Sequence, residues 1–384
     1  MKISPIAIQN IASISALGSN DAEIVQNYRN QKPLFVKQTK GLEEIWVSKL
    51  TEAIQQEIFQ LRKENNKYRD LDASVLYAML VGRNCLNKTN WDTSIPIGLN
   101  LGSSRGATQQ LEEHYQHFLT HQQAKTLASP STTLGNISSW VAHDLQLNGP
   151  EFSHSITCST GLHALLNGIA WLQAGICDRF MVGGTEAALT DFSIAQMQAM
   201  KIYSSEVDAY PCKALQTNKT KNTMVLGEGA VVVALDKNCD DNKVKITGIG
   251  YATEALTHST SISANGTCFV KSMQMALEGV STDDVDIVVM HAPGTIKGDL
   301  AEINAVHTVF GNQTPALTNN KWLVGHTFGA SGLLSLQMAC LMLQEQEFFD
   351  VPYLNSNPKP KKIQKVLVNA VGFGGNAVSV LVEI

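Results

Sequence analysis

Residues 155–168 read SITCSTGLHALLNG. A strand ending at Thr157 meets one cysteine, then a turn of small residues, then an apolar helix. A thiol at such a corner faces backbone N–H groups and the positive end of the helix dipole, which lower its pKa and enrich the thiolate. The same N–H groups can receive the oxyanion that forms on an attacked thioester carbonyl. Cys158 therefore reads as an activated thiol, a candidate nucleophile. The seven cysteines (Cys85, Cys158, Cys177, Cys212, Cys239, Cys268 and Cys340) contain no CxxC pair. Zinc ribbons and thioredoxin-type motifs are therefore disfavoured, and so is a disulfide framework. Cys177, Cys239, Cys268 and Cys340 lack the strand-to-helix corner and read as packing residues.

Two histidines occupy comparable places. His291 ends DIVVMH and opens the turn APGT, and His326 lies in VGHTFGASG directly before a helix. Parallel sheets present functional side chains just past the C-terminal ends of their strands. His114, His117 and His121 share one helical face and read as solvated, with no completing metal ligand elsewhere. His143 and His307 read as filler, and His163 as a core residue. The turn GFGG (372–375) joins two apolar strands, and its glycines permit close backbone approach to a ligand. GxGxxG spacing is missing there, so the turn does not read as a dinucleotide loop.

The elements that carry these residues follow a βαβ rhythm. SPIAIQNIASI reads as a strand, and NDAEIVQNYRNQ as a helix capped by Asn20 or Asp21. SIPIGLNLGS, FSHSIT and CDRFMVGGTEA read as strands, with helices over GATQQLEEHYQHFL and GLHALLNGIAWLQAG. After the strand GEGAVVVALD the polar run KNCDDNK marks a seam. KVKITGIGYA, TCFVKSMQMALEGV, VDIVVMHAPGT, KGDLAEINAVHTVF and GASGLLSLQMACLMLQEQ then restart the alternation, which closes on the hairpin KVLVNAVGFGGNAVSVLVEI. The rhythm predicts parallel sheets flanked by helices. Its restart suggests two structurally duplicated halves, 1–236 carrying the thiol and 237–384 carrying both histidines. Apolar residues make up 44% and charged residues 16% of 384, with a net charge of −5, so a large core fits and a nucleic-acid footprint does not. No apolar run is long enough to cross a membrane, and the N-terminus lacks the apolar centre of a signal peptide. A reducing, cytoplasmic setting is expected.

Taken together, these pieces resemble the β-ketoacyl-acyl carrier protein synthases, the condensing enzymes of the thiolase-like superfamily, in their elongating Cys-His-His branch. SITCSTGLHAL resembles the nucleophile segment, LGEGAVVVALD the strand ending the first half, and NAVGFGGNA the closing glycine turn. HAPGTIKGDLAE keeps the register of His291, Asp299 and Glu302, and KWLVGHTFGASG keeps Lys321 five residues before His326. The resemblance implies an α/β thiolase-like fold with two duplicated mixed-sheet halves in αβαβα layers. It also implies a decarboxylative Claisen condensation between an acyl group on Cys158 and malonyl-acyl carrier protein. In that scheme the N–H groups of Cys158 and Phe373 hold the oxyanion, while His291 and His326 donate to the extender thioester. Lys321 organises charge around the histidines, with Asp299 and Glu302 in support. Phe373 gates entry, and Thr295 and Gly374 line the substrate path. His258, in THSTS, falls where the family has a loop near the entrance. No resident cofactor is implied, since substrates travel on the phosphopantetheine of acyl carrier protein. The implied partners are that carrier and a second synthase-like chain, identical or not.

Several positions depart from the family pattern. Ala292 and Pro293 follow the first histidine, Ser335 stands where a glutamate is usual, and Gln216 and Thr223 break the 210–224 segment. These departures point towards specialised polyketide, polyene or pigment assembly as readily as fatty-acid elongation. Two other readings stay open: a chain-length-factor-like partner subunit, for which Cys158 is one residue too many, and a coenzyme A-dependent thiolase-type enzyme. A thiolase would need a second catalytic cysteine in the closing turn, where this chain has Phe373.

Overall fold

The structure is a computed structural model and describes residues 2–40, 43–134, 136–239, 243–256, 262–311, 313–354 and 359–384. His258 lies outside the described residues. The strands are β1 (Lys2–Ile14), β2 (Val36–Lys40), β3 (Glu43–Ser48), β4 (Ile97–Gly102), β5 (Glu151–His154), β6 (Arg179–Glu186), β7 (Leu226–Gly227), β8 (Gly229–Asp236), β9 (Lys245–Thr253), β10 (Ile287–Val289), β11 (Ala316–Thr318), β12 (Lys365–Val371) and β13 (Asn376–Glu383). The helices are α1 (Asp21–Asn30), α2 (Glu52–Glu64), α3 (Ala73–Asn87), α4 (Thr108–His121), α5 (Ala128–Thr132), α6 (Asn136–Leu145), α7 (Thr160–Gln173), α8 (Asp191–Ala199), α9 (Thr267–Ala276), α10 (Ile296–Phe310), α11 (Lys321–Val324) and α12 (Ser331–Glu345). Asn20 caps α1, its side chain accepting the Glu23 N–H at 3.0 Å.

One sheet runs β11-β10-β12-β13-β9-β1-β8-β6-β4-β5, and a smaller one β2-β3-β7. Read inward from either edge, the large sheet repeats one order. β5-β4-β6-β8-β1 and β11-β10-β12-β13-β9 each take the third, second, fourth, fifth and first strand of their own set. The duplication that residue identity is too weak to display is thus plain in the topology. β1 and β9 join the two runs antiparallel, with Ile6 opposite Ile246.

The expectation of parallel sheets holds for β4 with β5 and β6 and for β10 with β11 and β12. It holds too for β3 with β7 in the smaller sheet but fails for the rest of the large sheet, because each set ends by doubling back. β12 and β13 are linked by a turn of a few residues, too short for the crossover that parallel strands need. The mixed sheet with flanking helices is that of a thiolase-like α/β fold.

α7 packs on β4 and β6, α12 packs on β12 and β10, and the two helices touch each other between the strand runs. α3 covers β1 and β8 on one outer face, and α9 covers β9 and β13 on the other. α12 (SGLLSLQMACLMLQE) is buried without interruption from Ser331 to Leu343, as befits a helix with no polar face. This arrangement sets the start of α7, the turn after β10 and the turn before α12 around one centre.

Candidate active site

β5 ends at His154 rather than at Thr157 and is a half-exposed edge strand, so the corner before Cys158 is longer than the sequence suggests. Hydroxyl groups build that corner. Thr160 Oγ1 accepts the Ile156 N–H at 2.9 Å and donates to the Thr157 carbonyl at 2.6 Å, and Ser159 Oγ donates to the Ile156 carbonyl at 3.0 Å. With Ser159 so engaged, the N-terminus of α7 has no side-chain cap. The 372–375 turn presses onto this corner. A Cβ on Gly372 would stand 1.8 Å from Thr157 Oγ1, so only glycine fits there. Thr157 Oγ1 donates to the Phe373 carbonyl at 3.2 Å, which brings the Phe373 N–H near enough to Cys158 to favour charge on its sulfur.

His291 lies two residues past β10. Glu302, on α10, accepts the N–H groups of His291 and Ala292 at 2.8 Å each, and Asn369 Nδ2 donates to the same carboxylate at 3.2 Å. Asp299, one turn earlier, accepts the Gly294 and Leu215 N–H groups at 3.0 Å and pairs with Lys219 at 2.7 Å. Thr295 caps α10 through the Gly298 N–H. His326 is fixed along β7: its N–H donates to the Val225 carbonyl at 2.7 Å, and its carbonyl accepts the Gly227 N–H at 3.1 Å. Gly325, at φ +68°, makes the close approach to Val225 and Leu226 that this needs. The two imidazoles lie 5.3 Å apart, edge to face.

A non-glycine residue with positive φ flanks each of the three: Thr157 (φ 47°), Ala292 (φ 23°) and Phe328 (φ 41°). Each such position costs on the order of 1–3 kcal/mol and persists only where its surroundings over-determine it. Here the surroundings are the clamps just described.

Electrostatics set the protonation states. Burial, then the Lys321 ammonium, hold His291 and His326 well below the ordinary histidine range, so both rings are neutral near pH 7. Lys321 is fully buried, and its Nζ has no hydrogen-bond partner among the described residues. Burial drives its ammonium down and the Glu302 carboxyl up, and the attraction between the two opposes both shifts. The expected lowering of the Cys158 pKa is not observed. Burial and the negative field of Glu186 push the thiol up to about 12, against the weaker pull of Lys321, Arg105 and the Phe373 N–H.

Two cavities, of about 840 and 620 Å³, share Cys158, Phe328 and Phe373 as walls. The smaller also carries His291, His326 and Thr295. Cys158, His291, His326, Phe373 and Thr295 thus share one space, with Lys321, Asp299 and Glu302 behind it. Gly374 does not join them. Its φ of +92° serves the turn, and Gly372 and Gly375 form the wall instead. The His117 and His121 rings lie 4.4 Å apart on α4, tilted by 51°, while His114 bonds Ser131. Among the described residues no group of three or more His, Cys, Asp or Glu is arranged to hold a metal.

Three further residues matter to the site. Glu186 ends the strand in GGTEA, Arg105 lies in the turn after β4, and Lys219 lies in the 210–224 segment where Gln216 and Thr223 break the pattern. That break is the one signal the sequence offers for Lys219.

The family models described as Beta-ketoacyl synthase, N-terminal domain, and Beta-ketoacyl synthase, C-terminal domain, match residues 10–240 and 244–355. The chain is 26% identical over 335 residues to 3-oxoacyl-[acyl-carrier-protein] synthase 2 of Coxiella burnetii, covering 80% of this chain and 81% of that protein. It is 26% identical over 337 residues to the chloroplastic 3-oxoacyl-[acyl-carrier-protein] synthase I of Arabidopsis thaliana, covering 80% and 71%. Among solved structures, a β-ketoacyl synthase from Burkholderia phymatum superposes with a TM-score of 0.87 at 19% identity over 99% of both chains. The ketosynthase ApeO of Xenorhabdus doucetiae, solved with its chain length factor, gives 0.80 at 19% identity, covering 99% and 98%.

Proposed function

Because the chain belongs to the β-ketoacyl synthase family, we propose that it joins an acyl group held on Cys158 to a malonyl extender, both delivered on acyl carrier protein. The observation that carries this reading is the placement of Cys158 where two cavities meet, with both histidines in one of them. The extender thioester enters beside His291 and His326, and the acyl chain extends from Cys158 into the other cavity.

Cys158 attacks the carrier thioester, and its proton leaves with the pantetheine thiol. Holding the acyl group covalently splits one difficult step into two. The N–H groups of Cys158 and Phe373 receive the oxyanion of that attack. The imidazoles, neutral beside Lys321, then donate hydrogen bonds to the malonyl thioester oxygen. That oxygen gains negative charge as the C–CO₂ bond breaks, so the donors act mainly in the transition state. The resulting carbanion attacks the acyl carbonyl, the C–S bond to Cys158 breaks, the released thiolate takes a proton from water, and CO₂ and a 3-ketoacyl thioester on the carrier leave. No resident cofactor enters this scheme.

A second chain of the same fold, identical or a chain-length-factor-like partner, closes the acyl cavity, whose outer wall includes exposed Leu111, Tyr115, Leu119 and Phe192. Among the described residues no helix is long and apolar enough to cross a membrane, and a cytoplasmic site of action accords with free thiols.

Intact mass after incubation with acyl-carrier protein tests the scheme. The wild-type chain gains one acyl group and Cys158→Ala gains none. His291→Ala acylates but loses malonyl decarboxylation by about 10²-fold or more, the usual effect of removing a donor to developing charge. Acylation of Cys158→Ala, or decarboxylation that survives His291→Ala, sinks it.

A further inference from the structure

The larger cavity carries polar groups that a saturated acyl chain has no use for. Arg105 enters it from the turn after β4, with its backbone N–H held by Glu186 Oε1 at 3.1 Å. Glu186 also accepts the Ser104 and Gly329 N–H groups, at 2.8 and 3.0 Å, so one buried carboxylate fastens the Arg105 loop to the turn bearing Phe328. The guanidinium lies 5.0 Å from the centre of the Phe328 ring, and its Nη1 donates to Gln196 Oε1 at 2.5 Å. Its Nε is buried with no acceptor, and so is the hydroxyl of Ser193 on the same wall. No carboxylate forms an ion pair with Arg105 among the described residues. Glu112, the acid on this wall, accepts the Thr190 hydroxyl at 2.7 Å. Arg105 is also near enough to Cys158 to act on the charge of its sulfur.

The Arg105 Nε and the Ser193 hydroxyl are already shielded from water, and a plain alkyl chain on Cys158 would supply an acceptor to neither. A buried donor left without an acceptor is unfavourable, although the rest of the guanidinium keeps its Gln196 and Phe328 contacts. An oxygen on the chain would restore an acceptor to both. We propose that Arg105, with Ser193, determines acyl specificity by receiving an acceptor oxygen on the first carbons beyond the thioester. The group held on Cys158 is then a 3-oxo or 3-hydroxy acyl chain rather than a saturated one. This rests on the condensing activity proposed above.

Single-turnover acylation of Cys158 by hexanoyl-, 3-hydroxyhexanoyl- and 3-oxohexanoyl-acyl carrier protein, followed by intact mass, tests the proposal. Sites that hydrogen-bond a substrate oxygen reject the analogue lacking it strongly, so the wild-type rate constant favours an oxygenated chain by at least about tenfold. In Arg105→Met the ratio falls to near one and hexanoyl transfer quickens. Arg105→Lys, a charge without the fork, retains part of the preference. Should Arg105→Met not fold, Ser193→Ala serves, with a ratio reduced severalfold. A wild-type protein that loads hexanoyl as fast as the oxygenated chains overturns the proposal, and so does an unchanged ratio in a folded Arg105→Met or Ser193→Ala. If none of the three chains reaches Cys158, the condensing reading itself has failed, and this proposal falls with it.

Discussion

Cys158 stands at a helix N-terminus beside two cations, yet its thiol is pushed up to about 12 by burial and by Glu186. Field and desolvation oppose each other here, and desolvation wins. The resting side chain is therefore a thiol, and in the proposed reaction its proton leaves only as the sulfur attacks. The thiolate fraction of such a group rises with pH far below its pKa, so alkylation of Cys158 by iodoacetamide should climb about tenfold per pH unit from about 6 to 9. Intact mass at timed intervals measures it. A rate that levels off at or below about pH 8 would mean that the dipole dominates, contrary to this account. The corner that carries Cys158 was legible in SITCSTGLHALLNG, but the charge state of its thiol was not. Glu186 acts from another strand, and burial is a property of the packed molecule. The histidines divide the same way. Their turns are readable, whereas their neutrality comes first from burial and then from the Lys321 ammonium enclosed with them.

Asp299 and Lys219 show what holds an element in place. Their side chains are 2% and 3% exposed and 80 positions apart in sequence. Asp299 binds the N–H groups of Gly294 and Leu215, so this single pair anchors both the turn after His291 and the 211–223 segment. Removing one partner of a buried pair leaves an uncompensated charge, at a cost of about 3–5 kcal/mol. Lys219→Met should lose about that much stability at pH 8 in urea unfolding. Burial already raises the Asp299 pKa above its ordinary value, and Lys219 restrains the rise. Without Lys219 the folded-state value climbs further above the unfolded one. The carboxyl then binds its proton more tightly when folded, so the loss shrinks towards pH 5 and grows as pH rises through the folded-state value. An equal loss at both pH values would remove Asp299 from the explanation. Regular elements such as α1 with its Asn20 cap or the β12–β13 hairpin follow from local spacing. The stretch YPCKALQTNKTKNTM has no period to read, because a distant carboxylate decides its course.

At the scale of the molecule, the repeated strand order closes two similar halves around the reactive centre but leaves one wall unfinished. α4 exposes Leu111, Tyr115, Phe118 and Leu119, spaced as i, i+4, i+7 and i+8, so they form one stripe. Phe192 at 60% and Tyr115 at 61% exposure face outward, although both also line the larger cavity. An apolar patch that doubles as a cavity wall marks an interaction site, and the occupant proposed to complete the wall is a second chain of this fold. The wild-type protein should therefore sediment as a dimer at micromolar concentration, alone if the pair is identical or only with its partner if it is not. Leu119→Asp should shift it to monomer, since burying an unpaired carboxylate in the interface costs several kcal/mol. Acylation of Cys158 should fall with the dimer, because an open cavity leaves the acyl chain in water, and raising protein concentration should recover part of it by mass action. A Leu119→Asp protein that stays dimeric, or a monomer that acylates at the wild-type rate, would show that the wall is complete within one chain.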